Sequence, residues 1–567
     1  MSEIIISALD LAVSDQSAIS TRQSRDKWQI LPYETGEISG NLLLAGELST
    51  PSDVTLHLGL HGWYKIFVAT INMKSADYFA LRLTSDRGFT GMRAPTDGQK
   101  FRWTPVEYIQ EFFWRCADLS GDDIILSKPP TYFPNAAALA WVRCVPMTDA
   151  EIEREKGKEH KFRIHTHIDE DPNAEDSSDS DEALLTRVFP LGNTDAVDCS
   201  LEIAFDYDIP EYGEELPILA KDVGWQRGDE SFSKVREHAY KLRIGELHRN
   251  GMRAYATNRM SVAEFTPPYC NQMWSRRGFV ENHPELYCKT RDGRTVNVCS
   301  YAYTETQDFV IDTLASYMQY GFDGVTLIFH RGMHLGFERP VLDRFAELYP
   351  EIDPHRLPVT DNRLNGIWCE IMTKFMQNLR KKLGRLTINV IAEYTPETSR
   401  HFGIDVLEWA RLGLIDSVYQ GIMEVWEDLD GTLDENGYID LDAYREKFTR
   451  EPIIKRYHST NIEKTLDGEE KYLAGLDGTG VSFAAALPWP HRVSPAEYSV
   501  WKDRLTELGI RDLFAWNTNH MMYDLPELHA ATLSGDRLTS EHYTARQHRV
   551  LSIAGSDIST FDPNWRG

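Results

Sequence analysis

The sequence predicts a mixed α/β protein, a (β/α)8 TIM barrel preceded by an N-terminal antiparallel β-sandwich, on three observations. Alternation of apolar and polar residues with period two dominates from Asn41 to about Val145, which is typical of antiparallel strands. From residue 161 onward, strand-like apolar runs alternate with helical patterns, as in parallel α/β units. Within this second region, Gly321 ends a helical pattern and an unbroken apolar run from Val325 to Phe329 follows, as expected of a strand buried on both faces.

Length, composition and charge limit the architecture and the partners. At 567 residues the chain exceeds what one core usually supports, so we expect a sandwich domain at 1–150 and a barrel domain at 151–567. The chain is 42% hydrophobic and 26% charged, and no apolar window reaches the length of a membrane span. The formal net charge of −27 disfavours nucleic acid and anionic membranes as partners. The composition is compatible with a homo-oligomer.

The N-terminus and the cysteines indicate a cytoplasmic protein. The first ten residues contain no basic region ahead of an apolar segment, so a secretory signal is not expected. The seven cysteines are odd in number, scattered, and without Cys-x-x-Cys spacing. This pattern favours reduced, buried thiols over a disulfide framework.

The predicted sandwich consists of short strands separated by turn residues such as Ser120-Gly-Asp-Asp. Its clearest strands are at 78–83, 106–116, 124–126 and 138–145. A polar helical connector follows from Met147. Trp63, Tyr64 and Trp114 are candidates for carbohydrate contacts, but a sandwich needs large inward side chains, so core packing is the favoured interpretation.

The barrel elements follow as alternating strands and helices, except between the sixth and seventh strands. The predicted strands are at 161–169, 198–206, 252–260, 325–329, 386–394, 415–422, 481–489 and 511–518. The predicted helices are at 182–188, 232–249, 304–320, 366–383, 404–412 and 498–508. We expect an acidic loop at 169–182 and a long loop over the barrel mouth at 266–297. The segment 430–475 fits this count poorly, and 452–458 is a candidate for a further strand.

From about residue 160 to 535 the order of segments resembles the family-10-like glycosyl-hydrolase barrel proteins. Four stretches carry the resemblance, and the third is the most specific: Gly321-Phe-Asp-Gly-Val-Thr-Leu with His330-Arg331-Gly332, Phe345-Ala-Glu-Leu-Tyr-Pro-Glu-Ile-Asp-Pro, Gly403-Ile-Asp-Val-Leu-Glu-Trp-Ala-Arg-Leu-Gly-Leu-Ile-Asp, and Asp512-Leu-Phe-Ala-Trp-Asn. The resemblance implies a TIM barrel that acts on carbohydrate, or descends from proteins that do. Many sugar-cleaving barrels of this kind place acids in the fourth strand, where this chain has Thr326, Ile328 and His330. Either other strands supply the carboxylates or the hydrolase activity has been lost.

Glycoside cleavage requires two carboxyl groups, roughly 5 to 10 Å apart, on either side of the scissile bond. We therefore take acids near the carboxyl ends of predicted strands as catalytic candidates, since barrel enzymes place their chemistry there. Glu393 closes strand five, Glu424 follows strand six, and Glu338 lies on the loop after strand four. Strands five and six are neighbours, so Glu393 and Glu424 form the preferred pair. Pairing with an arginine, or plain solvation, would be the structural alternative.

The predicted substrate-binding residues surround the same mouth. Converging arginines suit a hydroxyl-rich or anionic ligand such as a uronic acid, and indole rings suit sugar faces, although charge balance and core packing are structural alternatives. The candidates are His165, His167, Asp169, Asn258, Arg259, Trp274, His330, Arg331, Trp489, Trp516 and Asn517.

His165 and His167 also support a different hypothesis, because two histidines two residues apart on a strand point to the same side and can bind one metal. The predicted fifth and sixth strands contain no histidine, so lining of a sugar pocket is the favoured interpretation, and we expect no metal and no cofactor. The segment from Asp428 to Asp440 resembles a calcium loop, but its glycines fall at the wrong offsets for an EF-hand.

Three functional hypotheses remain open from the sequence. The first is a glycoside hydrolase-like enzyme that cleaves an oligosaccharide or glycoside by carboxylate acid/base catalysis. The second is a metal-dependent barrel hydrolase centred on His165 and His167. The third is a non-catalytic sugar-binding barrel, which the missing fourth-strand acids favour.

Overall fold

The structure is a computed structural model, and its description covers most of the chain. The described residues are 2–46, 49–71, 78–93, 108–128, 136–156, 162–168, 196–203, 232–261, 279, 283–329, 335–421, 423–427, 429, 431–447, 454–458, 462–486, 495–516 and 545–553. Among the helices in this part, none is both long and apolar enough to cross a membrane.

Two antiparallel sheets form the N-terminal region. The larger sheet has the order β1 (Ile4–Ile6), β12 (Trp141–Pro146), β6 (Trp63–Ile71), β9 (Tyr108–Asp118), β25 (Ala545–Ile553), β3 (Trp28–Thr35), β4 (Ser39–Ala45) and β11 (Ala137–Leu139), with β2 (Ile19–Ser20) beside β3. The smaller sheet has the order β5 (Val54–Leu56), β10 (Ile124–Ser127), β7 (Tyr78–Leu83) and β8 (Thr90–Arg93). Apolar side chains of both sheets share one core, which includes Tyr64 and Trp114.

Eight parallel strands close into a barrel. In order around the ring they are β13 (Arg163–Ile168), β14 (Ala196–Ile203), β15 (Arg253–Arg259), β18 (Gly324–Ile328), β19 (Thr387–Ile391), β20 (Ser417–Tyr419), β23 (Ser482–Ala486) and β24 (Asp512–Ala515). The ring closes because β24 pairs in parallel with β13. Each of the eight predicted strands overlaps one of these, so the predicted strand order is confirmed.

Helices connect the strands. They are α1 (Leu9–Ala12), α2 (Asp149–Lys156), α3 (Phe232–Arg249), α4 (Thr304–Tyr317), α5 (Arg339–Leu348), α6 (Asn362–Leu383), α7 (Pro396–Arg400), α8 (Val406–Arg411), α9 (Leu441–Lys447), α10 (Ile462–Leu476) and α11 (Pro495–Glu507). Short 3-10 turns lie at Gln16–Ala18, Pro284–Leu286, Met318–Tyr320 and Pro354–Arg356. The helix predicted at 182–188 lies outside the described residues.

Strand alternation divides the barrel side chains between two cores. Outward residues such as Val325 and Leu327 pack against the helices in the largest apolar cluster. Inward residues form a smaller cluster inside the ring, made of Ile328, Ile391, Tyr419, Ala484, Ala486, Phe514 and Trp516. The period-two geometry of strands produces this division.

Three features differ from the sequence expectations. The loop predicted at 266–297 contains the start of a hairpin, β16 (Tyr287–Lys289) with β17 (Thr295–Cys299). The candidate strand at 452–458 is confirmed as β22 (Ile454–His458), and its antiparallel pairing with β21 (Met423–Glu427), outside the barrel, was not expected. The last strand, β25, was not expected; it inserts between β9 and β3, so the sheet of the 1–150 segment includes residues from the far end of the chain.

The loops after the third, fourth and sixth barrel strands pack together beside the mouth. Arg291, in the turn of the β16–β17 hairpin, is buried between the rings of Phe337 and Tyr444, with its guanidinium carbon 4.8 and 5.5 Å from their centroids. The backbone N–H of Ile439 donates to the carbonyl of Arg356 at 2.9 Å. These contacts join the loops into one wall at the carboxyl ends of the strands.

Candidate active site at the barrel mouth

Glu393 lies two residues past the end of β19, where the strand passes into the loop before α7. Its side chain is only 2% exposed. Glu393 lies two residues after Ile391, which faces the barrel interior, so the alternation of the strand directs Glu393 to the same side. Two buried hydroxyls bind its backbone: its N–H donates to Ser399 Oγ at 3.0 Å, and Tyr472 Oη donates to its carbonyl oxygen at 2.7 Å. The sequence prediction of a carboxylate at this strand end is therefore matched by a buried, firmly held residue.

Glu424 lies in β21, on the excursion that follows β20. Its Cα is paired with that of Tyr457 in the two-stranded sheet, and β21 lies against α7. Since α7 begins at Pro396, the strand that carries Glu424 contacts the helix that follows the loop of Glu393. The side chain of Glu424 lies outside the described part of the structure.

Glu338 lies immediately before α5 and is fully buried. Its Oε1 accepts the backbone N–H of Lys289 and its Oε2 that of Gly336, both at 2.9 Å. Burial raises the pKa of this carboxyl, while the hydrogen bonds to the backbone oppose the shift. Because both oxygens hold backbone segments, Glu338 fastens the β16–β17 hairpin to the loop after β18, and this geometry favours a structural role.

His165 lies on β13 at the centre of a polar chain inside the ring. Its Nε2 is 2.9 Å from Asp512 Oδ1, and its Nδ1 is 3.2 Å from the hydroxyl of Tyr419. Burial would raise the pKa of Asp512, but the hydrogen bonds and charges of His165 and Arg163 lower it on balance. An ionised Asp512 accepts the Nε2 proton, so in the neutral imidazole Nδ1 accepts the hydroxyl proton of Tyr419.

His167 also faces the interior, one step nearer the mouth than His165. Its ring stacks on Trp516, with centroids 4.2 Å apart and planes 6° apart. Trp516 is 4% exposed, and its contact with His167 occupies one face of the indole. His167 and Trp516, two of the predicted substrate-binding residues, therefore lie together inside the ring, and Trp516 packs on a protein ring as a core residue does. Their role in substrate binding stays a prediction.

Asn258 and Arg259, which the sequence suggested as two pocket residues, lie on opposite faces of β15. Asn258 shares its alternation with Ala254 and Ala256, which belong to the core between strands and helices. Its side-chain amide is fully buried, with no hydrogen-bond partner among the described residues. Arg259 has the opposite alternation and faces the interior, so a pocket role fits Arg259 and does not fit Asn258.

The remaining predicted site residues lie outside the described residues. They are Asp169, Trp274, His330, Arg331, Trp489 and Asn517. Within the described part, no group of three or more histidine, cysteine or acidic side chains is arranged to hold a metal ion. The described cysteines, Cys116, Cys144, Cys288, Cys299 and Cys369, form no disulfide bond with one another.

Several residues of the site were missed by the sequence reasoning. Tyr419 and Asp512 lie on predicted strands at inward positions, so strict alternation would have found them. Tyr472 lies on α10 and Ser399 on α7. No motif marks either residue, because their contact with Glu393 depends on how the two helices pack.

Comparisons with known proteins give structural matches alone. No protein-family model matches the chain, and no curated protein matches it. An α-galactosidase from Thermus thermophilus shares 11% identity, with 90% of this chain and 95% of that chain covered and a TM-score of 0.35. A β-(1,4)-mannanase from Podospora anserina shares 8% identity, with 95% of this chain and 97% of that chain covered and a TM-score of 0.29. A maltogenic α-amylase from Thermotoga neapolitana shares 12% identity, with 68% of this chain and 77% of that chain covered and a TM-score of 0.34.

These three solved structures are enzymes with different substrates, and they do not single out the family-10-like group suggested by the sequence. All three TM-scores are below 0.5. The proposals that follow therefore rest on the residues of this chain.

Proposed function

We propose that this protein is a glycoside hydrolase-like enzyme whose (β/α)8 TIM barrel cleaves a glycosidic bond by carboxylate acid/base catalysis. The substrate class is an oligosaccharide or glycoside. The observation that carries the proposal is Glu393, a carboxylate at the carboxyl end of a barrel strand whose backbone is held by two buried hydroxyls. Barrel enzymes place catalytic groups at this end of the strands.

Glu424 is the proposed partner of Glu393. The contact of β21 with α7, the helix that follows the loop of Glu393, supports this pairing. Glycoside cleavage requires one carboxyl group on each side of the scissile bond. One group protonates the leaving oxygen while the other acts as nucleophile or as base toward water. Thr326 and Ile328 occupy the inward positions of β18. The second carboxyl group is therefore expected from the segment after β20, which carries Glu424, rather than from β18.

The substrate-binding residues are proposed from the same mouth. Arg259, which faces the interior from the end of β15, provides a guanidinium that donates hydrogen bonds in two directions to sugar hydroxyls or a carboxylate. His167 and His165 form the polar floor below it. His330, Arg331, Trp274, Trp489, Asp169 and Asn517 are kept as proposed contacts from the sequence.

The test is a panel of nitrophenyl glycosides and short oligosaccharides, assayed for product with the wild-type protein, E393Q and E424Q. We expect each variant to lower turnover of the best substrate by about 10²- to 10⁴-fold, the usual contribution of a general acid or base. The control is E370Q, because Glu370 is an exposed residue of α6 that pairs with Arg344. Unchanged turnover in both E393Q and E424Q would remove the proposed pair.

One observation also favours the sugar-binding alternative, namely the inward Thr326 and Ile328 in place of acids on the fourth strand. The same panel separates the two functions. Saturable binding of a glycoside without product formation would support a non-catalytic barrel, whereas product formation that depends on Glu393 would support the enzyme. Metal analysis of the purified protein tests the third hypothesis, since a metal-dependent hydrolase would hold a stoichiometric ion.

A further inference from the structure

The backbone of Glu393 is bound on both sides by side-chain hydroxyls from two different helices. Its N–H donates to Ser399 Oγ at 3.0 Å, its carbonyl oxygen accepts from Tyr472 Oη at 2.7 Å, and the two hydroxyl oxygens are 3.2 Å apart. Ser399 and Tyr472 are both fully buried. The three residues form a closed ring of hydrogen-bonding groups around one peptide segment.

We propose that Ser399 and Tyr472 are positioning residues that fix the carboxylate of Glu393 for catalysis. This inference rests on the proposed function, in which Glu393 is a catalytic carboxylate. Neither hydroxyl is assigned contact with the substrate. They act on the backbone from which the carboxylate projects.

The chemistry of the two hydroxyls determines which groups donate and which accept hydrogen bonds at the backbone of Glu393. Burial raises the pKa of Tyr472 well above its usual value, so the phenol keeps its proton and donates it to the carbonyl of Glu393. Ser399 accepts the N–H of Glu393, and its own proton is directed either to Tyr472 Oη or to the carbonyl of Thr395, 3.0 Å away. Hydrogen bonds in such a chain polarise one another, which strengthens the set.

The rest of the loop is held in the same way. Gln420 Nε2 donates to the carbonyl of Tyr394 at 3.3 Å, and the backbone N–H of Ala486 donates to Gln420 Oε1 at 3.2 Å. The backbone N–H of Ala392 donates to the carbonyl of Tyr419 at 3.0 Å. Consecutive peptide groups from Ala392 to Tyr394 are therefore tied to neighbouring elements, as expected where a catalytic side chain must be preorganised.

A fixed backbone matters because small errors in placement are costly in catalysis. A displacement of about 1 Å can lower a rate by roughly 10²-fold without changing the chemical groups present. The ring of Tyr472 is held independently of its hydroxyl, since it stacks on Phe483 with centroids 5.2 Å apart and planes 21° apart. Removal of the hydroxyl alone therefore leaves the packing in place.

The variants that test the inference are Y472F and S399A, with Y33F as a matched control. Tyr33 is a buried tyrosine of the sandwich whose hydroxyl donates to a backbone carbonyl, that of Ala140 at 3.3 Å. For the nitrophenyl glycoside that the wild type turns over fastest, kcat, KM and the pH profile of kcat/KM are measured for each variant. Thermal unfolding is followed in parallel.

We expect Y472F and S399A each to lower kcat by about 10- to 100-fold with KM changed less than about twofold. The limb of the pH profile that disappears in E393Q should also shift in both variants. Y33F should keep the wild-type kcat and pH profile. A merely structural role would lower the unfolding temperature while leaving kcat and the pH profile of the folded enzyme unchanged.

The outcomes separate this inference from the proposed function. If E393Q abolishes turnover while Y472F and S399A retain the wild-type kcat and pH profile, the positioning role is overturned and the catalytic role of Glu393 stands. If E393Q retains full turnover, the catalytic role fails, and the positioning role fails with it. If one variant does not fold, the other carries the test, because Ser399 and Tyr472 bind opposite sides of the same residue.

Discussion

Nε2 of His165 lies 2.9 Å from Oδ1 of Asp512, and this contact joins two residues that are 347 positions apart in the chain. His165 belongs to the first barrel strand and Asp512 to the last, and the two strands pair in parallel. Arg163 binds the second oxygen of Asp512 at 2.5 Å. The ring of strands is thus closed from the inside by a charged hydrogen bond as well as by the backbone ladder.

The first prediction concerns this closure. D512N should lower the free energy of unfolding by about 2 to 4 kcal/mol, because it leaves the buried imidazole of His165 and the largely exposed guanidinium of Arg163 without an anionic acceptor. Urea unfolding at neutral pH measures the change. D343N is the control, since Asp343 forms an exposed pair with Arg339, and exposed pairs contribute about 0 to 1 kcal/mol. Equal stabilities for the two variants would contradict the proposed role of Asp512.

The second prediction concerns Glu338. A glutamine at this position offers a single carbonyl oxygen, so one of the two backbone N–H groups of Lys289 and Gly336 would face an amide nitrogen. We expect E338Q to lose about 1 to 3 kcal/mol in the free energy of unfolding. E347Q is the control and should lose little, because Glu347 is an exposed residue of α5, the helix that follows Glu338. A stable E338Q that has lost turnover would instead indicate a catalytic role for Glu338.

The third prediction concerns two glycines inside helices. A Cβ at Gly468 of α10 would lie 2.6 Å from the carbonyl oxygen of Tyr394, whereas a Cβ at Gly366 of α6 would meet nothing within 4 Å. G468A should therefore destabilise the protein by about 1 to 3 kcal/mol through overpacking. G366A should stabilise it by roughly 0.5 to 1 kcal/mol through helix propensity. Thermal unfolding of both variants measures these changes in stability. A stabilised G468A would show that α10 does not approach Tyr394 so closely.

The fourth prediction is a pH dependence. Burial raises the pKa of Glu469 from 4.5 to about 8, although a hydrogen bond from Trp501 opposes the shift. The folded protein therefore keeps a proton that the unfolded chain releases above pH 4.5, so the stability of the wild type falls as pH rises from about 4.5 to about 8.

E469Q removes this dependence because an amide does not titrate. The variant should be more stable than the wild type near pH 8, and the difference should vanish near pH 4. The slope that Glu469 contributes to the wild-type stability curve should be at most roughly 1.4 kcal/mol per pH unit. E446Q, at an exposed position of α9, should follow the wild-type curve, and parallel curves for E469Q and the wild type would show that Glu469 is not buried as described.

The order of barrel strands was predictable because each strand carries its own local pattern. Val325 to Phe329, for example, is apolar throughout, and Gly321 with a φ of 102° ends the preceding 3-10 turn, as its position in the sequence indicated. The insertion of β25 was not predictable, since a strand does not encode its distant partner. The alternating pattern of β25 suits a strand at the edge of a sheet as well as one at its centre, so it does not specify the neighbouring strands.

The candidate site was predictable to the same degree. The position of Glu393 at a strand end followed from the sequence, because periodicity fixes both the end and the face of a strand. Its contacts with Ser399 and Tyr472 did not, because they depend on the packing of α7 and α10. Asn258 is a different case: the sequence grouped it with Arg259 because the two are neighbours in the chain, whereas strand alternation places them on opposite faces of β15.

The position of β25 in the middle of its sheet has a consequence for biosynthesis. β9 and β3 leave the ribosome roughly 430 and 510 residues, respectively, before the strand that joins them, which at about 5 to 20 residues per second is a delay of roughly 20 to 100 s. During that interval both strands have unpaired edges of the kind that recruit other chains into aggregates. The nascent protein therefore needs these edges shielded until translation delivers β25.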